Sequence, residues 1–273
     1  MKFYRYIRIL SLDVVAGACI SSLFIGKILN VTIPVVIVAI LGITVWVIYT
    51  LDHLWDALRI PQKAHSYRHV FHQHYFKQIS LSLIIMLSGA GIILFYLPPI
   101  TLQYGVLLSI IVMIYFIILL NFKNRNIYLK EISIGVIYTF GLFLGPLSLN
   151  EYFDLWTVVP LFFQFLGLSI VNLMVFSLFE KTLDEVDGHG SIVGYLGENK
   201  VKIVTIFSLI LVIVITLVNI LSSIYPSEVY NHLVILCMAF VLLGLLIKPR
   251  LFIKNESYRI VGDGVFIFPV LLL

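Results

Sequence analysis

The chain has 273 residues, 61% of them hydrophobic and 12% charged, and its mean hydropathy is +1.08. Such usage lies far outside that of soluble globular domains and points to a polytopic membrane protein. The formal charge of +4 is carried without any basic run interleaved with aromatics outside the loops flanking the apolar runs, which argues against a nucleic-acid partner. Several runs exceed the roughly 20 apolar residues that a helix needs to cross a bilayer, and none alternates as an outer-membrane barrel strand does. The expected fold is all-α, a single membrane helical bundle over residues 1–273.

Lys2, Arg5 and Arg8 precede a first apolar run at about 9–29. It superficially resembles a lipoprotein leader ending at Cys19, but Ala16 stands where such a leader carries Leu, and the run continues well past the cysteine as a spanning helix would. Further crossings are predicted at about 31–56, 79–96, 101–120, 132–149, 156–179, 201–221 and 229–247. The last stretch, 259–273, is short for a full crossing and is expected as a tilted or shielded ninth transmembrane helix. Cys19 and Cys237 both lie inside apolar runs and are expected to pack there rather than meet an oxidant.

Counting crossings puts the N-terminus and the loops after the second, fourth, sixth and eighth helices on one side. Arg59, Lys63, Arg68, Lys77, Lys123, Arg125, Lys130, Lys181, Lys200, Lys202, Lys248, Arg250, Lys254 and Arg259 all fall there, whereas Lys27, Glu151, Asp154 and Glu228 fall on the other. The positive-inside rule makes the basic side cytoplasmic, as expected for a multi-pass protein of the inner (cytoplasmic) membrane in contact with membrane lipids. The opposite connections are short, with turn residues at Pro98, Pro99, Asn150, Pro226 and Ser227. Function is therefore expected at the cytoplasmic face.

Two acidic clusters stand at that face. Asp52 and Asp56 end one apolar run, and Glu180, Asp184 and Asp187 end another. Carboxylates four residues apart share one helix face with roots roughly 6 Å apart, a spacing suited to a divalent cation. Asp187 extends the second pair into a three-carboxylate stripe, after which Gly188 offers a helix stop. A helix C-terminus carries partial negative charge and disfavours carboxylates. Both clusters therefore call for a compensating cation: a metal shared with a diphosphate, bulk solvent, or Lys and Arg partners within the chain.

Two other polar groups, Asn172 and Asp13, lie inside apolar runs, where they are costly. Asn172 is eight residues before Glu180, on nearly the same helix face, and either lines a cavity or bonds between helices. Asp13 is expected to pair with a base such as Arg8, and Asp263, four residues after Arg259, to be an ion-paired helix start. His65, His69, His72 and His74 resemble one histidine box of the membrane iron oxygenases and desaturases, although such enzymes need more histidines than the 7 here. A non-enzymatic lipid or cation carrier is the third class, but its acids would be staggered through the bilayer instead of gathered at one face.

The stretch 176–197 resembles the second acidic motif of the UbiA superfamily of intramembrane prenyltransferases. Glu180 and Asp184 fall on its two acidic positions, Ser191, Ile192 and Val193 on the segment that follows, and Leu196 with Gly197 on its close. Asp52 and Asp56 match the last two acids of that family's first motif, while Ile48 and Tyr49 stand where it carries Asn and Asp, and Glu180 replaces an Asp. The resemblance implies Mg²⁺-dependent transfer of an isoprenyl group from an isoprenyl diphosphate to a membrane-soluble acceptor, often aromatic. Asp52, Asp56, Glu180 and Asp184 would be catalytic and, with Asp187, would hold the metal. Arg68, Lys123, Arg125 and Lys181 would steady the departing diphosphate, and Asn172 would line the substrate cavity. The family also carries a Tyr and a Lys near the end of its fourth helix, for which Lys123 or Arg125 can serve.

Overall fold

In the computed structural model the described residues are 2–59, 67–121, 129–152, 154–187 and 191–273, with side chains described for all but 2–5, 59, 67, 119–121, 129, 184 and 187. Their regular structure is helical: α1 (Lys2–Ile9), α2 (Leu12–Ile28), α3 (Val35–Arg59), α4 (Tyr67–His74), α5 (Phe76–Leu94), α6 (Pro99–Asn121), α7 (Leu129–Ser148), α8 (Leu155–Asp187), α9 (Ile192–Leu196), α10 (Glu198–Ser222), α11 (Pro226–Ile247), α12 (Pro249–Phe252) and α13 (Ser257–Gly264). A short 3₁₀ turn at Lys254–Glu256 joins α12 to α13, and a 3₁₀ helix at Val265–Leu272 continues from α13.

Among the described residues seven helices, α3, α5, α6, α7, α8, α10 and α11, are long and apolar enough to cross a membrane. The expected nine include two that fall short of that length. Helix α2 has 17 residues, and the last crossing is broken into α13 and the 3₁₀ helix. These two pack against each other, so each is shielded along the shared face by the other. Ser21 Oγ donates to the Phe266 carbonyl at 3.1 Å, Lys27 Nζ bonds the Leu272 carbonyl, and a Cβ on Gly17 would stand 2.8 Å from Phe266 Cβ. A small residue at position 17 is thus what lets the two backbones meet.

Helix α8 is the axis. Of its membrane-length window 56% is buried, against 11% for α5 and 6% for α6, so α5 and α6 are the lipid-facing wall and α8 is enclosed by α7, α10, α11 and α13. Phe165, Leu168, Val171 and Val175 of α8 are fully buried against Phe24, Phe143, Leu209, Met238 and Leu242. At 33 residues, α8 extends past the bilayer-crossing length and carries the second acidic cluster beyond the bundle's apolar layer. The chain then turns through Ser191, whose hydroxyl accepts from the Gly194 amide at 3.3 Å to cap α9. Gly197, at φ +83°, separates α9 from α10 in a conformation that residues with a side chain rarely adopt.

Helices alternate direction, so the start of α2, the end of α3, the start of α7, the end of α8 and the start of α13 lie at one end of the bundle. Helix α13 is pressed onto α8 there by Gly262, where a Cβ would stand 2.6 Å from the Phe176 ring and would also strike Asn172 Oδ1. Gly262→Ala is expected to cost about 1–3 kcal/mol through overpacking, measured as a lower thermal midpoint of the purified protein, whereas Gly264→Ala, which meets nothing within 4 Å, leaves the midpoint unchanged.

Candidate active site

A cavity of about 190 Å³ opens at this end of the bundle, lined by Asp52, Asp56, Arg68, Lys130, Glu131, Glu180, Tyr258 and Arg259 and, further along its wall, by Arg8, Asp13, Tyr49, Glu256 and Asp263. The two acidic helix ends, distant in sequence, thus face one space. Seven carboxylates and four basic side chains line it, an excess of negative charge.

The last turns of α3 meet the first turn of α7. Lys130 Nζ lies 3.0 Å from Asp52 Oδ1 and 3.2 Å from Asp56 Oδ2. Each helix end here presents the charge that its dipole disfavours, carboxylates at a C-terminus and an ammonium at an N-terminus, and their pairing compensates both. Next to Lys130, Glu131 turns the other way: its Oε1 accepts the Ile192 amide at 2.9 Å, which ties the start of α9 to the cavity wall. Tyr115 of α6 lies within electrostatic reach of Asp52 and Lys130.

At the end of α8, Glu180 pairs with Arg259 and accepts from the Tyr258 hydroxyl at 2.8 Å. Tyr258 is itself stacked on Phe179, ring centroids 4.4 Å apart and planes at 6°, and the Arg259 guanidinium lies 5.1 Å from the Phe176 centroid. The side chains of this pair are only 16% and 15% exposed, so it belongs with buried ion pairs rather than with solvated surface ones. Arg68 of α4 completes the cationic wall. Burial, and then the charge of Arg259, pull it below its ordinary value while Glu180, Asp56 and Asp52 pull it up; a guanidinium stays charged at any physiological pH.

The rim is held by Arg8, which donates to the Asn255 and Glu256 carbonyls at 3.4 and 3.2 Å and pairs with the Glu256 carboxylate. Asn255 and Glu256 both have positive φ, 56° and 53°, a conformation costing about 1–2 kcal/mol for a residue with a side chain, and Arg8 bonds directly to that turn.

The expected residues fall into three groups. Asp52, Asp56, Glu180 and Arg68 share the cavity, and Asn172 lines an extension of it. Lys181 does not line it; it pairs with Glu198 at 3.4 Å, because one position on from Glu180 turns it to a different face of α8. Lys123 and Arg125, like His65 and His189, lie outside the described residues, and the side chains of Asp184 and Asp187 do as well, though their backbone continues α8 beyond Glu180. Arg8 engages Glu256 rather than forming the expected pair with Asp13, and Asp263 takes its hydrogen bond from Asn172.

Lys130, Glu131, Tyr258 and Arg259 are functional candidates that the sequence alone did not single out, since Lys130 and Arg259 read only as topology-setting charges. A usable signal was present in Lys130 beside Glu131 at a helix start, where the dipole disfavours a cation. The histidines near the cavity engage one another and the backbone. His53 Nε2 lies 3.2 Å from Ser11 Oγ, its ring is edge-on to His72 at 5.3 Å, and His72 Nδ1 donates to the Arg68 carbonyl at 2.9 Å. Burial holds His72 below the ordinary imidazole value, so it is neutral at pH 7. Among the described residues no three His, Cys, Asp or Glu side chains are grouped to hold a metal ion as they stand.

The donor chemistry nonetheless suits Mg²⁺, a hard cation that takes carboxylate oxygens and keeps several waters of its own. The excess of carboxylates in the cavity leaves negative charge that the four basic side chains do not neutralise.

Fold and cavity together define a helical membrane bundle with a charged pocket at one end. The fold is similar to that of a solved structure of a UbiA homolog from Archaeoglobus fulgidus, bound to DMAPP and Mg²⁺, with a TM-score of 0.64 over 98% of this chain and 98% of that one, at 10% sequence identity. No protein-family model and no curated protein matches the sequence.

Proposed function

We propose that the chain, residues 1–273 acting as one domain, is a UbiA-type prenyltransferase of the inner membrane. It transfers an isoprenyl group from an isoprenyl diphosphate to a membrane-soluble acceptor and works at the cytoplasmic face. The observation that carries this reading is the convergence of Asp52, Asp56 and Glu180 with Lys130, Arg68 and Arg259 on one cavity. The UbiA homolog that shares the fold was bound to DMAPP, an isoprenyl diphosphate, and to Mg²⁺, which supports the same substrate class here.

Asp52, Asp56 and Glu180, with Asp184 and Asp187 on the continuation of α8, would hold Mg²⁺. When bound, the metal supplies Lewis-acid neutralisation of the diphosphate oxygens as the allylic C–O bond breaks. Arg68 and Arg259 offer guanidinium forks matched to phosphate oxygens. Lys130 holds the first carboxylate pair together and gives the departing diphosphate a further positive charge. The enclosed wall of Val14, Ile134, Leu173 and Phe176 keeps water from the allylic cation.

The test is direct. Protein purified in lipid nanodiscs and supplied with isoprenyl diphosphates of several lengths should release diphosphate only when Mg²⁺ or Mn²⁺ is present, and release that persists in excess chelator would sink the proposal. Lys130 and the metal compete for the same carboxylates. Lys130→Met is therefore expected to tighten Mg²⁺ binding about tenfold, by removing an ion from its site, while lowering turnover. Unchanged affinity in a titration would place the metal elsewhere.

A further inference from the structure

Deeper than the charged rim lies a second polar region that the preceding reading leaves without a task. Asp263 of α13 and Asn172 of α8 border a space of about 20 Å³ behind the main cavity, with the hydroxyl-bearing Tyr49 and Tyr138 and the apolar Val14 and Leu173 also on its wall, and Asp13 of α2 lines the main cavity beside it. The space has room for one hydroxyl- or amine-sized group. On α8, Asn172 is eight residues before Glu180, which places it about 12 Å further into the bundle. Asp263 is one turn beyond Arg259 on α13, about 6 Å further along the helix.

Two of the acceptors here are left unpaired. Asn172 Nδ2 donates to Asp263 Oδ1 at 3.2 Å; this orientation is forced, since the flipped amide would set oxygen against carboxylate. Asn172 Oδ1 is then buried with no hydrogen-bond partner among the described residues, in a side chain only 5% exposed. Asp13, also 5% exposed, uses Oδ1 to accept the Val14 amide at 3.0 Å and leaves Oδ2 buried without a partner. Buried acceptors left unpaired are costly enough that they call for a bound group. Asp13 and Asp263 lie close enough to act on each other electrostatically, with Arg259 also in reach of both; Arg259 is engaged by Glu180 and Arg8 by Glu256. Two carboxylates so placed repel a third.

We propose that this niche is the acceptor site, that it takes an uncharged or cationic acceptor whose nucleophilic end bears O–H or N–H groups, and that Asp263 is the base. The inference rests on the prenyl-transfer reading for its chemistry. The allylic C–O bond breaks with its electron pair leaving on the diphosphate. The acceptor's oxygen, nitrogen or ring carbon forms the new bond, and the proton it loses passes to the Asp263 carboxylate. Asp13 and the Asn172 carbonyl hold the acceptor by taking its remaining donors. An acceptor carrying its own carboxylate is excluded by charge.

Hydroquinone and gentisate, which differ by one carboxylate, are suitable probes for the full chain in nanodiscs. Without any donor, hydroquinone is expected to bind at least tenfold more tightly than gentisate, and Asp263→Asn or Asp13→Asn to erase that preference, each side chain keeping its size. Equal or tighter binding of gentisate by the unmodified protein, failure of both probes to bind, or a preference untouched in both variants overturns the niche. With an isoprenyl diphosphate and Mg²⁺ added, Asp263→Asn is expected to lower hydroquinone-dependent diphosphate release at least 100-fold while isoprenyl diphosphate still binds. Unchanged release overturns the base assignment. If the unmodified protein binds no isoprenyl diphosphate, the transferase reading fails, and the donor-free preference still decides the niche.

Discussion

Asp52→Asn is expected to lower Mg²⁺-dependent diphosphate release at least 100-fold, with little change in thermal stability. Asp52 contributes one oxygen to the Lys130 bridge at 3.0 Å and stands where the first metal ligand would be needed. Asparagine keeps the shape and removes the charge, so both the ammonium and an incoming divalent cation lose half of their local counter-charge. Loss of one well-placed electrostatic contact at a developing anion is worth about 10²–10³ in rate, and loss of a metal ligand adds to it. The fold is spared because Asp56 still pairs with Lys130 at 3.2 Å. Lys181→Ala provides the contrast: this lysine pairs with Glu198 outside the cavity, and its loss is expected to alter release less than threefold. If Asp52→Asn and Lys181→Ala behave alike in a diphosphate-release assay, the cavity does not do the chemistry.

Arg259→Leu is expected to be the most damaging single change to stability, about 3–5 kcal/mol, because it strands the Glu180 carboxylate in a site where both partners are mostly buried. Tyr258 alone remains to hydrogen-bond it, and one neutral donor does not replace a guanidinium. The pair links α8 to α13, so the thermal midpoint and the binding of isoprenyl diphosphate should fall together. The double variant Arg259→Leu with Glu180→Gln separates the two effects. It is expected to recover most of the lost midpoint, since no uncompensated charge is left, but not binding, since both the guanidinium and the carboxylate are gone. Recovery of binding along with the midpoint would show that Arg259 is only a structural partner.

Both variants address residues whose partners lie far away in the chain. That distance explains what could be read in advance. Apolar runs of bilayer length and the lysines and arginines at their ends are local features, and they were enough for the all-α membrane bundle, for the side on which its charges gather, and for acidic ends on the third and eighth helices. Asp52, Asp56 and Glu180 were found as spaced carboxylates because a helix puts residues four apart on one face whatever surrounds it.

What each carboxylate faces was not local. Lys130 reaches Asp56 across 74 positions of sequence and Tyr258 reaches Glu180 across 78, and nothing in the neighbourhood of either residue encodes the meeting. The shortness of the first and last crossings, 17 residues in α2 and a broken helix at the end, likewise became intelligible only when the two proved to cover one another. By itself, the sequence determined a membrane bundle with paired acids at the ends of its helices where basic residues gather, since periodicity and hydropathy act within a few turns of helix. Only the tertiary structure decided which cations answer those acids and that a second, inner set of carboxylates lies behind them, because charge pairing depends on distance in space and the chain reaches those distances only by packing its helices.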